Sequence, residues 1–168
     1  AQAVKWQLIS NNPCDAIDPP KKNKFEYKVY DTAQIKKLLQ GIKNTSIALP
    51  ILMACTTGMR RGELCGLQWK DVDLDKMTIR VCQSLDYVDG KLKNGPVKSK
   101  ERTLSIDPVL VAALKKEKIL QSADKLKAGD LYEKKGFVWA WDNGEPHSPY
   151  YLYTNFKKVA KKCDLPVV

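Results

Sequence analysis

The sequence predicts a mixed α+β fold, mostly helical, with a small three-stranded antiparallel sheet. Three observations carry that expectation. Apolar residues recur at the spacing of a buried helix face in several segments, β-rich segments alternate in polarity between residues 77 and 106, and an Asp-Pro and a Ser-Pro pair open further helices downstream.

Taken in order, Ala1 to Ile9 has helical spacing through Val4 and Leu8 and then meets the stop signal Ser10-Asn11-Asn12-Pro13. Asp18-Pro19-Pro20-Lys21-Lys22-Asn23-Lys24 is proline-rich, basic and poor in apolar residues, as linkers are. Asp31 or Thr32 caps a helix that carries Ile35, Leu38, Leu39 and Ile42 on one face. Ser46 to Thr56 is a second, more apolar helix, in which Pro50 is tolerated only in or near the first turn. Gly58 ends it, and Arg60 to Gln68 forms a short third helix.

The period then changes. Met77 to Val81 and Arg102 to Ile106 alternate, Leu85 to Val88 is a weaker strand, and Asp89-Gly90 is a hairpin turn signal. Asp107-Pro108 caps a helix running to about Leu120, Phe137 to Ala140 is a short extended segment, and Asp142-Asn143-Gly144 turns the chain. Ser148-Pro149 opens a last helix whose core face is Leu152, Phe156 and Val159.

A chain of 168 residues can bury a proper core, and it carries no apolar run long enough to span a bilayer and no secretion signal. The five cysteines are scattered, odd in number and never spaced Cys-x-x-Cys, which argues against a disulfide framework and against zinc. The expected location is therefore the cytoplasm. With 29 Lys plus Arg against 19 Asp plus Glu, a net charge of +10 makes a polyanion the natural partner.

Two segments are suited to phosphate chemistry. In Thr57-Gly58-Met59-Arg60-Arg61-Gly62-Glu63, an arginine stands at the mouth of a short helix, where its planar fork can donate two parallel hydrogen bonds to phosphate oxygens. Glu63 can pair with that guanidinium and aim it; the alternative is a solvated arginine pair with Glu63 answering the helix dipole. The second segment, Lys91-Leu92-Lys93-Asn94-Gly95-Pro96-Val97-Lys98-Ser99-Lys100-Glu101-Arg102, is a basic loop before a strand. It is either a solvated hairpin or a set of cations that track a charged groove.

The apolar helix, Thr57-Gly58-x-Arg60, Glu63-Leu64, Leu67, Trp69 and Asp71-Val72-Asp73 together resemble the first active-site block of the tyrosine recombinases, the phage-integrase family. The likeness extends over nearly all of residues 29 to 168, through Asp107-Pro108, Gly136-Phe137-Val138-Trp139, Asn143-Gly144, Ser148-Pro149 and Lys157 to Pro166. It implies a partial tyrosine-recombinase catalytic domain, of the kind that breaks and rejoins DNA, over 29–168. Residues 1–17 would then be the C-terminal helix of a core-binding domain and the start of a linker, and 18–28 the basic, proline-rich linker.

By position, Arg60 matches the first catalytic arginine of that family and Glu63 its acidic support residue, while Arg61 falls on a variable position. A hairpin lysine that protonates the leaving 5′ oxygen maps to Lys98, with Lys100 one register step away as the alternative. Lys91, Lys93, Lys100, Arg102 and Arg61 are the expected DNA contacts. The His-x-x-Arg block and the tyrosine nucleophile are expected beyond Val168. His147 is followed three residues later by Tyr150 rather than arginine, and none of the seven tyrosines lies where the nucleophile should.

The resemblance thus implies an integrase of a phage or mobile element, acting on double-stranded DNA through a 3′-phosphotyrosine intermediate, as a homotetramer on DNA in its full-length form. It implies no metal and no cofactor, a bacterial, DNA-associated location and no membrane. The piece seen here is expected to bind DNA without cleaving it. Rival readings are a non-catalytic DNA-binding accessory or regulatory module, and a type IB topoisomerase-like relative that shares the first block.

Overall fold

A computed structural model of the chain describes residues 2–18, 29–88, 90–97 and 100–167. It divides into two compact units, residues 1–29 with 168, and residues 30–167. In the first unit, helix α1 covers only Gln2–Lys5, and a 3-10 turn covers Pro13–Ala16. The helical spacing seen to Ile9 is not realised. Gln7 takes a left-handed backbone, and Trp6 and Leu8 stay largely exposed, so no apolar face is buried to drive helix propagation. Apart from Asp18, the linker 18–28 lies outside the described residues.

The second unit opens with Tyr30, whose hydroxyl donates to the carbonyl of Pro166 and whose ring packs 6.4 Å from that of Phe156. Helix α2, Thr32–Gly41, starts with a reciprocal cap. The Asp31 carboxylate accepts from the Gln34 backbone at 2.8 Å, and the Gln34 amide oxygen accepts from the Asp31 backbone at 3.0 Å. Helix α3, Ala48–Thr57, holds Pro50 in its first turn, where the missing N–H has no intrahelical partner to lose, and ends on Gly58 with φ 64°. Helix α4, Arg61–Gly66, follows directly.

Strands β1 (Val72–Asp73), β2 (Thr78–Val81) and β5 (Arg102–Ser105) form a three-stranded antiparallel sheet, with Val72 opposite Ile79 and Val81 opposite Arg102. Strands β3 (Gln83–Val88) and β4 (Lys91–Pro96) form a separate two-stranded hairpin. The sheet thus has the expected size with a different third member. The Leu85 to Val88 strand pairs instead with residues 91–96, which the sequence presents as a loop. Residues 91–96 are almost wholly exposed and carry no apolar alternation, so burial does not set their pairing.

Helix α5, Pro108–Ala128, is capped by the Asp107 carboxylate and extends a further two turns past Leu120. A polar residue continues its buried face. The Gln121 amide accepts from Trp69 Nε1 at 2.7 Å and donates to the Val138 carbonyl at 2.8 Å. Helix α6, Pro149–Lys162, is capped by Ser148 and buries Leu152 and Ala160. The core gathers Ile47, Met53, Ile79, Leu110, Leu114 and Val138, all fully buried, between the helices and the sheet.

The Leu67-Gln68-Trp69 run that follows α4 is held against residues 135–138. Val138 donates to the Leu67 carbonyl at 2.9 Å and Trp69 to the Gly136 carbonyl at 2.8 Å. These bonds fix the C-terminal end of α4 and, through its one and a half turns, the position of Arg60.

Candidate functional site

Gly58 turns the chain out of α3 and Met59 anchors it in the core, so Arg60 sits at the N-cap of α4 with extended backbone. One turn on, the Glu63 carboxylate is only 3% exposed and is surrounded by donors. It accepts from the Arg60 backbone at 2.8 Å and from Arg60 Nη1 at 3.1 Å. Arg102, at the start of β5, adds a two-pronged contact, Nη1 at 3.0 Å and Nη2 at 2.7 Å, to the two carboxylate oxygens. The Arg102 hydrogen bond, with the Arg60 backbone bond behind it, pulls the Glu63 pKa down to about 2 against the opposing effect of burial.

One buried carboxylate therefore serves two guanidinium groups, and the cluster keeps a net positive charge. Its two arginines differ in exposure. The Arg102 side chain is 31% exposed and the Arg60 side chain 70%. Arg60 presents its guanidinium to a cleft of about 400 Å³ that is also lined by Arg61, Ser84, Leu85, Asp86 and Pro149.

The cleft exists because α4 rests closely on β3. A Cβ on Gly66 would lie 2.7 Å from the Leu85 backbone nitrogen, and one on Gly62 would overlap the Ser84 hydroxyl. Sequence reading assigns Glu63 to Arg60 but misses its second partner, because the Glu63–Arg102 contact joins residues 39 apart in sequence.

The other expected contacts are spread around this centre. Arg61 lies over the ring of Tyr153 at 5.7 Å, and Lys157 lies over the same ring at 4.8 Å. Tyr153 and Lys157 thus join Arg61 beside the cleft. Both lie outside the expected contact set, since an aromatic residue that organises cations has no spacing signature. Lys91 and Lys93 are exposed on β4, and Lys100 is exposed in the connection to β5. Lys98 lies outside the described residues.

Among the described residues no group of three or more His, Cys, Asp or Glu side chains is arranged to hold a metal. Cys65 is buried and its thiol is pushed up to about 12 by that burial, which leaves it unreactive.

His147 belongs to the core. It is 3% exposed, its ring lies 4.2 Å from Trp139, 3.9 Å from Trp141 and 4.9 Å from Tyr151, and its Nδ1 has no hydrogen-bond partner. Burial pushes its pKa down to about 4, partly opposed by a hydrogen bond to the Ala140 backbone. A histidine that the fold keeps neutral stabilises fully above its unfolded value of about 6.5, and that stability is lost as pH falls from there towards 4. His147→Phe keeps the ring stack and removes the titration. Between pH 7.5 and 4.5 its melting temperature is expected to drop less than that of the parent, by roughly 3–6 °C. Parallel thermal melts at the two pH values check this.

The model of the phage integrase family matches residues 28–166. A tyrosine recombinase XerC-like protein of Caldanaerobacter subterraneus subsp. tengcongensis is 29% identical over 98% of this chain and 47% of its own length. The ICEBs1 integrase of Bacillus subtilis is 29% identical over 71% of this chain and 33% of its own. The chain therefore spans less than half the length of these curated relatives. Among solved structures, the Tn1549 transposon integrase in complex with a circular intermediate DNA superposes with a TM-score of 0.68 at 20% identity, over 97% of this chain and 54% of that one. A lambda integrase tetramer bound to a Holliday junction gives a TM-score of 0.60 at 19% identity, over 98% of this chain and 42% of that one.

Proposed function

The chain belongs to the phage integrase family, and from that premise we propose that it is part of a site-specific recombinase whose Arg60 grips the DNA phosphate at which the strand is cut. The observation that supports this reading is the buried Glu63 with its two guanidinium partners. A carboxylate that is 3% exposed and bonded from both sides holds Arg60 at a fixed angle while leaving most of that side chain open to the cleft. Such preorganised cations act on phosphoryl transfer because they are in place before charge develops on the phosphate oxygens.

In this reading Arg60 binds the scissile phosphate and Glu63 aims it. Lys98, or Lys100 one step away, protonates the leaving 5′ oxygen. Arg61, Lys91, Lys93 and Arg102 add positive charge along the double-stranded DNA, with Lys157 beside them. A 3′-phosphotyrosine link conserves the phosphodiester energy, so the reaction as proposed calls on neither metal nor cofactor. The complete enzyme works as a homotetramer on its recombination sites, in integration or excision of a phage or mobile element. None of the tyrosines in these 168 residues takes the nucleophile's role, so they bind DNA without cleaving it.

Titration of a fluorescent duplex at several salt concentrations tests the binding half. Binding is expected to weaken steeply with salt, and Arg60→Ala to weaken it by roughly 10-fold to 100-fold, the worth of a charge-assisted contact. Equal affinity for the two proteins would remove Arg60 from the interface. A covalent adduct on a nicked recombination-site substrate would show that a nucleophile is present after all.

A further inference from the structure

We propose that Arg102 is a positioning residue that acts through Glu63: it makes the arginine cleft an anion site by cancelling the Glu63 charge, not by touching the DNA itself. This rests on the reading of the cleft as a phosphate site. Arg60 and Arg61 stand against Glu63 and Asp86 among the described residues that line the cleft, so the charges of its wall balance. A cation from outside the wall tips that balance towards an anion.

Arg102 is placed to be that cation. It is not among the described residues lining the cleft, yet its two Nη atoms donate to the two Glu63 carboxylate oxygens at 3.0 and 2.7 Å. It comes to the carboxylate from β5, where it stands opposite Val81 of β2, whereas Arg60 comes to it from the start of α4.

The two carboxylates of the wall differ in what can answer them. Asp86 is exposed and stands opposite Lys93 in the hairpin register, so solvent reaches it. Glu63 is 3% exposed, and its charge has to be met by protein groups. Arg60 alone on Glu63 would make a neutral couple at the point where the phosphate enters. With Arg102 counted, the wall and its outer partner sum to one positive charge, and the two-pronged contact fixes where that charge sits.

The test uses the 168-residue chain and its Arg102→Gln, Arg102→Lys and Glu63→Gln variants, with the double variant Arg102→Gln/Glu63→Gln. Each is titrated with a fluorescent duplex at pH 7.5, and thermal melts confirm that it is folded. Arg102→Gln is expected to weaken binding by roughly 10-fold, and the same change on the Glu63→Gln background to cost less than about 2-fold. Lysine keeps the charge and loses the fork, so Arg102→Lys is expected to recover the affinity to within about 3-fold of the parent.

No loss from Arg102→Gln, equal losses in the two backgrounds, or a lysine no better than glutamine would each overturn the inference and leave the phosphate site standing. If Glu63→Gln does not fold, NMR of the parent chain replaces the double variant. The Arg102 side-chain N–H is expected to keep its position as duplex is added while that of Arg60 moves, and an equal shift at Arg102 would overturn the inference. Unchanged affinity on Arg60→Ala would overturn the phosphate site itself, and this inference with it.

Discussion

Glu63→Gln is expected to destabilise the 30–167 unit by about 2–4 kcal/mol and to loosen Arg60 and Arg102 together. Glutamine has nearly the shape of glutamate, so packing is conserved and the charge is isolated. The parent carboxylate accepts hydrogen bonds from two guanidinium groups and one backbone N–H while almost wholly buried. The amide offers one acceptor oxygen, and its NH2 group points a donor at an arginine that is also a donor. The partial exposure of both arginines softens the penalty, which keeps it below that of a fully buried broken pair. Urea denaturation of the two proteins at pH 7 measures it.

The same substitution has a pH signature. The folded pKa of Glu63 is about 2 against an ordinary value of 4.5, so its stabilisation is complete above about pH 4.5 and is lost as pH falls towards 2. The parent should lose stability across that window, beyond what other carboxylates contribute, and Glu63→Gln should lose less. Coincident pH profiles for the two proteins would mean that Glu63 is not held ionised by its arginines.

Gly66→Ala is the second large effect, and it acts through geometry alone. The added methyl would meet the Leu85 backbone nitrogen at 2.7 Å and the Asn94 side-chain oxygen at 3.0 Å. A strand backbone cannot swing aside as a side chain can, so α4 must move off β3. The expected cost is about 1–3 kcal/mol, in the range of core overpacking. DNA affinity should fall with it, because the cleft is the space between the first turn of α4 and β3. A variant as stable as the parent, with unchanged DNA affinity, would show that the contact yields easily.

The caps at Asp31, Asp107 and Ser148 and the proline in the first turn of α3 are local chemistry, decided within four residues, and the sequence alone predicts them. The same holds for the Arg60 and Glu63 pair, which lies within one helical turn. Arg102 closing on Glu63, Gln121 bridging Trp69 to Val138, and Tyr153 lying beneath Arg61 and Lys157 depend on chain crossings that no spacing encodes. The β4 strand was hidden for another reason. Its residues face solvent, and an exposed strand has no apolar rhythm to reveal it.

The hydrogen bond from the Tyr30 hydroxyl to the Pro166 carbonyl has a mechanical meaning. The second compact unit begins at Tyr30, and Pro166 lies one residue from its last member. Tyr30 and Pro166 thus lie side by side, fastened by a polar clasp. A pull applied across those two points loads the clasp and the Tyr30–Phe156 contact first. Phe156 belongs to α6, the helix whose Tyr153 lies beneath Arg61, so the load passes towards the arginine cleft rather than around it. Strain applied at Tyr30 is thus felt, by way of α6, where Arg61 and Lys157 meet the Tyr153 ring.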